Sequence, residues 1–281
     1  MRAVAIAAAA VSVAAAADSS QDSSQDRSQG SLNFLVMADW GGQPKAPFTT
    51  AAELSTAAGM GRMAATLNAS FALGVGDNFY SSGIKTDASD PRFKNTFENV
   101  FTHPRLQSPF VFHMIAGNHD HGGNVTAQIA YTNRSARWNY PDSWFNVVED
   151  LGGGKTLEIV MIDTVILAGN SDVRDENGEL VLELRGSELP GPADTGRAAS
   201  QLAWLEATLA ASQATFLVVA GHFPVWSICE HGPTSQMIKE VKPLLERYHV
   251  TAFIAGHDHC IESFVDSGVD CAPPIVLRKP N

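Results

Sequence analysis

The chain has 281 residues, of which 44% are hydrophobic and 17% charged, and its formal net charge is −11. That is enough apolar material for a full core in one large domain. A net negative chain without a basic run excludes nucleic acid and anionic membrane as main partners. A phosphate-binding pocket in such a chain needs its own local positive charge, which metal ions can supply.

The start reads MRAVAIAAAAVSVAAAADSS. One arginine, an apolar stretch and small residues ahead of Asp18 predict a signal peptide over 1–17, because the stretch falls short of the roughly 20 residues a spanning helix needs. No later segment is long enough to span. A soluble protein, secreted or held in the lumen of the endomembrane system, is expected. Sequons at Asn68, Asn124 and Asn133 fit that route as glycosylation sites. Residues 18–31 repeat DSSQ and form a polar spacer with nothing to bury. The folded domain is expected over 32–268, followed by a divergent tail over 269–281. Of three cysteines, Cys229, Cys260 and Cys271, at most one pair can bridge, which leaves an odd thiol.

From LNFLVMADWGG onward the pattern alternates. Apolar β-type runs fall at 32–38, 70–75, 110–116, 156–163, 214–221 and 250–256. Helical patterns fall at 50–67, 91–101, 197–211 and 235–248. The alternation predicts an α/β layer fold with largely buried sheets. Residues 169–196, rich in Gly, Asp and Glu, break the rhythm and predict a long exposed loop.

Five of the strands stop at polar residues. MADWGG gives Asp39, GVGDNFY gives Asp77 and Tyr80, and IAGNHDH gives Asn118 and His119. VVAGHFP gives His222, and AGHDHC gives His257 and His259. Ligands of open α/β sheets bind beyond the carboxyl ends of the strands, so this fold class brings these residues to one rim. Taken singly, each has a structural reading: an aspartate capping a loop, a hydrogen-bonded histidine, an asparagine in a turn. Taken together, those readings require five strand ends to carry ligand-type residues by accident. Asp39, Asp77, Tyr80, Asn118, His222, His257 and His259 are too many donors for one ion that keeps an open position, and they suit two. Asp77 has two oxygens and can bridge.

The series DWGG, GDNFY, GNHDH, GHFPVWSICEHGPT and GHDH resembles the purple acid phosphatases, closest to their small tartrate-resistant type, within the calcineurin-like metallophosphoesterases. The likeness extends from about Leu32 to about Gly268 and includes NVTAQIAY. It implies an αββα sandwich of two mixed sheets flanked by helices. The C-terminal strands of that fold are expected to be truncated here. It implies one ion held by Asp39, Asp77, Tyr80 and His259, and another by Asp77, Asn118, His222 and His257. The first set is rich in anionic donors and suits Fe(III); the second suits Fe(II), Zn or Mn. The implied activity is acid phosphatase hydrolysis of phosphate monoesters by in-line attack of a metal-bound hydroxide, with a visible tyrosinate–Fe(III) band.

His119 is the first choice as acid, with His231 of CEHGPT second. Asn118, His119, His231 and Glu230 are the expected substrate contacts. His231 has an equal reading as a plain surface-loop histidine. The expected partners are small phosphomonoesters or phosphoproteins, met by a monomer. Mammalian members carry a cysteine pair where this chain has Ala168 and Gln236, so the loop before 197 is expected to be less tethered. Two other readings remain at this stage: a phosphodiesterase or nucleotidase of the same superfamily, against which Tyr80 speaks, and an inactive truncated secreted binding protein.

Overall fold

A computed structural model describes residues 7–14 and 31–264. The first sheet contains β1 (Ala7–Ala14), β2 (Ser31–Ala38), β3 (Phe71–Val75), β4 (Val111–Ile115) and β5 (Trp138–Asn139), in that spatial order. β2 to β5 are parallel, and β1 pairs antiparallel along the whole of β2, from Ala7↔Ala38 to Ala14↔Ser31. The apolar run expected as a leader thus supplies an edge strand of this sheet. The rest of the expected spacer and tail lies outside the described residues, apart from Ser31 at the head of β2.

The second sheet opens with an antiparallel hairpin, β6 (Phe145–Gly152) and β7 (Lys155–Met161). Next comes a separate small hairpin, β8 (Asp172–Arg174) with β9 (Leu180–Glu183). β10 (Phe216–Ala220) and β11 (Ala252–Ile254) then complete the second sheet in the order β11-β10-β7-β6, both parallel to β7. β11 stands at its edge.

Alternation along these strands explains the layers, since successive side chains point to opposite faces. In β7, Leu157, Ile159 and Met161 join the core shared with the first sheet. Val160 between them, and Ile162 just beyond, join the core beneath the helices. Val218 and Ala220 of β10 face the first core, and Leu217 and Val219 the second. Two mixed sheets therefore pack face to face, each with helices outside: the expected αββα sandwich. The helix α1 (Ala51–Leu67) covers the first sheet with Ala57, Met60 and Ala64. It starts at a capping box in which Thr50 Oγ1 accepts from Glu53 N–H at 3.1 Å and Glu53 Oε2 accepts from Thr50 N–H at 3.2 Å, reciprocal satisfaction worth about 1 kcal/mol. Two short helices, α2 (Asn118–His121) and α3 (Val125–Tyr131), follow β4, and α4 (Thr164–Ala168) follows β7. The helix α5 (Thr195–Ala211) buries Ala198, Leu205 and Leu209 on the second sheet, and α6 (Lys242–Arg247) adds Leu244. None of the described helices is long and apolar enough to cross a membrane.

The exposed loop expected over 169–196 needs correction. It contains the β8–β9 hairpin, whose strands are too short to give a readable alternation. Its end is also held. Ala168 C=O accepts from Gly191 N–H at 2.9 Å, and Gln236 Nε2 donates to Leu189 C=O at 3.1 Å. The two positions expected to leave the loop less tethered, for want of a cysteine pair, thus fasten it by hydrogen bonds instead.

Candidate metal centre

Parallel strands β2, β3 and β4 point their carboxyl ends at the same rim, as do β10 and β11. The chain must turn sharply at each end to present a side chain there. Asp39, Asp77, His257 and His259 all have positive φ, at 58°, 53°, 76° and 51°. Residues other than glycine rarely adopt this region, and the cost is of order 1 kcal/mol or more each. Four of the expected ligands therefore sit in strained backbone. Two glycines make the close approach possible: a Cβ on Gly76 (φ +98°) would meet His222 Nδ1 at 2.3 Å, and one on Gly117 would meet Asp77 Oδ1 at 2.2 Å.

The packing behind the rim is aromatic. Trp40 and Phe79, next to Asp39 and between Asp77 and Tyr80 in sequence, are fully buried among Phe93, Phe97, Phe101 and Trp138. Trp40 Nε1 donates to Asn78 Oδ1 at 3.1 Å. Asp120 joins the two loops below the rim: it accepts from the backbone N–H groups of Asn78, Phe79 and Gly117 and from Gln128 Nε2. Sequence reading missed it, although its position between His119 and His121 was the available signal.

On one side of Asp77, Tyr80 Oη lies 3.4 Å from Asp39 Oδ1 and 3.0 Å from His259 Nε2. Ligand atoms of Asp39, Asp77 and His259 fall within 4.8 Å of one another. On the other side, His222 Nε2 lies 2.8 Å from Asn118 Oδ1 and 3.5 Å from Asp77 Oδ1. His257 meets His222 edge to face, with ring centroids 5.1 Å apart. The structure therefore brings all seven expected donors to one place.

The donor set fits cations on three observations. The Val75 carbonyl 2.9 Å from His222 Nδ1 holds the ring proton there. The Nε2 lone pair then faces Asn118 Oδ1, whose amide nitrogen is committed to Asp172 and Glu183 at 2.7 and 3.1 Å. Two acceptor atoms at such a distance call for a proton or a metal cation between or beside them. His257 is 2% exposed, yet neither of its ring nitrogens has a hydrogen-bond partner, the nearest carboxylate oxygen, Glu183 Oε1, lying 3.8 Å from Nδ1, which is costly for a buried polar group. Burial and the surrounding His222 and His231 push it well below the usual histidine range, into the neutral form that ligates. Thirdly, burial, then Asp77 and Asp39, push the Tyr80 phenol well above its ordinary value. A tyrosinate here requires a strongly charged cation to reverse that balance.

His119 stands over Asp77, its Nε2 3.7 Å from Asp77 Oδ2 and its Nδ1 2.9 Å from the Ser81 carbonyl. Burial opposes its charge, but Asp77 and Asp172 outweigh burial and raise it to about 10. His231 stacks on His257 with ring centroids 4.3 Å apart. Its acidic companion there is Glu183, which groups with His231 and His257; Glu230 is exposed. Asp172 and Glu183, register partners across the β8–β9 hairpin, were also missed in sequence. Both reach Asn118, and Asp172 lies 3.3 Å from His119 Nδ1.

A family model described as calcineurin-like phosphoesterase matches residues 32–260. The chain is 44% identical over 237 residues to tartrate-resistant acid phosphatase type 5 of Mus musculus, covering 84% of this chain and 69% of that one. It is 32% identical over 246 residues to purple acid phosphatase 7 of Arabidopsis thaliana, covering 86% and 68%. Among solved structures, it superposes on GAP50, the anchor in the inner membrane complex of Plasmodium, with a TM-score of 0.64 at 21% identity, over 81% of this chain and 66% of that one. That last likeness speaks to fold alone.

Proposed function

The chain belongs to the calcineurin-like phosphoesterase family, and on that premise we propose that it is an acid phosphatase hydrolysing phosphate monoesters at a binuclear Fe(III)–M(II) centre. Asp39, Asp77, Tyr80 and His259 would hold the Fe(III). Asp77, Asn118, His222 and His257 would hold a divalent ion, Fe(II), Zn or Mn. The observation that supports this reading is the division of donors about Asp77: the Asp39 carboxylate and the Tyr80 phenol crowd one side with His259, neutral nitrogen and amide oxygen the other. Hard, strongly charged ions suit the first set and divalent ions the second.

Paired cations bind phosphoryl oxygens, acidify a water and take up charge that develops in the transition state. The chain's own residues do the rest. The Asn118 amide is fixed by Asp172 and Glu183, so its oxygen stays turned to His222. His119 keeps one ring N–H on the Ser81 carbonyl and carries its second proton on Nε2, on the side of Asp77. It can give that proton to the leaving alkoxide. His231, layered on His257, is placed to donate to a phosphoryl oxygen. The exposed apolar side chains Trp226 and Ile228 flank the same loop and offer contact to an apolar alcohol portion.

The same reading includes export, on the strength of the predicted signal over 1–17. The sequon residues Asn68, Asn124 and Asn133 are all exposed. Asn124 caps α3 through Oδ1, which accepts from Ala127 N–H at 3.0 Å, and donates Nδ2 to Thr86 C=O at 2.8 Å. A glycan there can replace one amide hydrogen and keep the cap.

The test is elemental analysis of the purified protein beside hydrolysis of a simple aryl phosphate in acid. Two ions per chain including iron, with turnover of the monoester, is the expected result. Metal without iron together with activity confined to diesters would transfer the chain to the phosphodiesterase reading. An absence of both metal and turnover would support a binding protein.

A further inference from the structure

The loop that carries His231 has little apolar packing of its own. Trp226, Ile228 and Glu230 are exposed, Ile228 to 84%. Three ties fasten this loop to the segment bearing His257 and His259, and they fall at alternate positions of that segment. Asp258 Oδ1 accepts from His231 N–H at 2.7 Å. Cys260 forms a disulfide with Cys229 across 31 residues of sequence. Glu262 Oε2 accepts from Ile228 N–H at 3.2 Å. Odd positions 257 and 259 thus face the metal centre, and even positions 258, 260 and 262 hold the loop. On its other side, His231 C=O accepts from Gly186 N–H at 2.9 Å. The covalent tie lies two residues from His231 and one from His259. It is the member of the three that thermal motion cannot open.

We propose that Cys229 and Cys260 are positioning residues for phosphate ester hydrolysis: their disulfide holds the His231 ring over His257, where it meets the substrate phosphoryl group. The proposal rests on the phosphatase reading of the same site. A hydrogen-bonded loop exposed on its outer side opens and closes; one cross-linked beside its functional residue does not. Misplacement of a contact group by about 1 Å costs up to on the order of 100-fold in rate.

The experiment compares four proteins: the wild type, Cys229→Ala/Cys260→Ala, His231→Ala, and the triple variant. Each is assayed well below its melting temperature with an aryl phosphate and with inorganic phosphate as inhibitor. Amide hydrogen exchange is followed at 228–231 and, as control, in β10. The double cysteine variant should lose about 10-fold or more in kcat/KM and bind inorganic phosphate more weakly. In the His231→Ala background the same cysteine substitutions should cost less than about 2-fold, since residues acting through one another are not additive. Amides 228–231 should lose protection while β10 keeps it. Equal losses in both backgrounds would show that the bridge serves the fold or the ligands directly, and overturn the proposal. So would unchanged kinetics. Should the double variant fail to fold, Glu262→Ala cuts the neighbouring tie and leaves the bridge. A partial loss that vanishes in His231→Ala then supports the proposal, and an undiminished one overturns it. If the wild type itself hydrolyses nothing, the phosphatase reading has failed. The exchange data then decide alone whether the bridge fixes His231: retained protection in the cysteine variant overturns that too.

Discussion

Replacing Asp172 by Asn and Glu183 by Gln should tighten substrate binding while sparing turnover. Both carboxylates reach into the mouth of the metal centre from the β8–β9 hairpin and accept from Asn118 Nδ2 at 2.7 and 3.1 Å. A substrate phosphate approaching Asn118 and His119 carries the same sign of charge as these two carboxylates. Hydrogen bonds to charged groups contribute about 1.5–3 kcal/mol where both partners are shielded. This hairpin backs onto solvent, with Val181 67% and Leu182 54% exposed, and Arg174 already pairs with Asp172. The amide variants keep their acceptor oxygens and lose only the negative charge. The net barrier to displacement is therefore at the low end, roughly 1–2 kcal/mol in all, or about a 5–30-fold fall in KM. The assay is steady-state hydrolysis of an aryl phosphate, with inorganic phosphate inhibition as an independent measure of anion affinity. KM and the phosphate inhibition constant should fall together, with kcat within about 2-fold of wild type. An unchanged or raised KM would refute the idea that the hairpin competes with substrate. A fall in kcat at constant KM would instead make Asp172 the group that orients His119, 3.3 Å away.

Asp77→Ala should lose both ions on dialysis and Asn118→Ala mainly the second, read as metal content per chain; equal loss in both variants would break the division of donors about Asp77. Tyr80→Phe should abolish the visible band of the iron-loaded protein and leave its circular dichroism unchanged, and a colourless wild type full of Fe(III) would remove Tyr80 from the ligand set. Glu53 is 1% exposed, and burial, opposed by the Thr50 N–H and Arg92, raises it from 4.5 to about 8. A raised folded-state value gives stability that is whole below 4.5 and is lost as pH rises through about 8. Glu53→Gln should therefore be more stable than wild type at pH 8, by at most about 4–5 kcal/mol for a rise from 4.5 to about 8, and not at pH 4; a gain equal at both would refute the assignment.

The seven expected donors were legible in the sequence because they stand at or just past strand carboxyl ends, where hydrophobic period gives way abruptly to polar residues, and Asp77, Asn118, His222 and His257 each directly follow a glycine. Their long apolar strands were legible for the same reason. The hairpin carrying Asp172 and Glu183 was not, because strands of three and four residues hold no period that distinguishes them from an acidic loop. β6 was lost because its outer face mixes Asn146, Val148 and Asp150, with Val148 58% exposed, and its inner face is buried chiefly at Phe145 and Leu151, so no clean alternation is readable. Asp258 was overshadowed by the histidines on either side: alternation sends it away from the metal centre, and only the folded loop reveals that it binds His231. Ala7–Ala14 read as a leader because alanine-rich apolar runs suit a translocon as well as a sheet edge.

That last ambiguity carries a consequence for the life of the molecule. The same eight residues cannot be both cut away during export and kept as the strand that flanks β2. A chain that loses them uncovers a row of peptide groups from Ser31 to Ala38, on a strand whose side chains are mostly buried. Such a row recruits any extended polypeptide that meets it, including a second copy of itself. Processing at Ala17 would then change how the protein behaves in company, its solubility and self-association, without altering one residue of its chemistry.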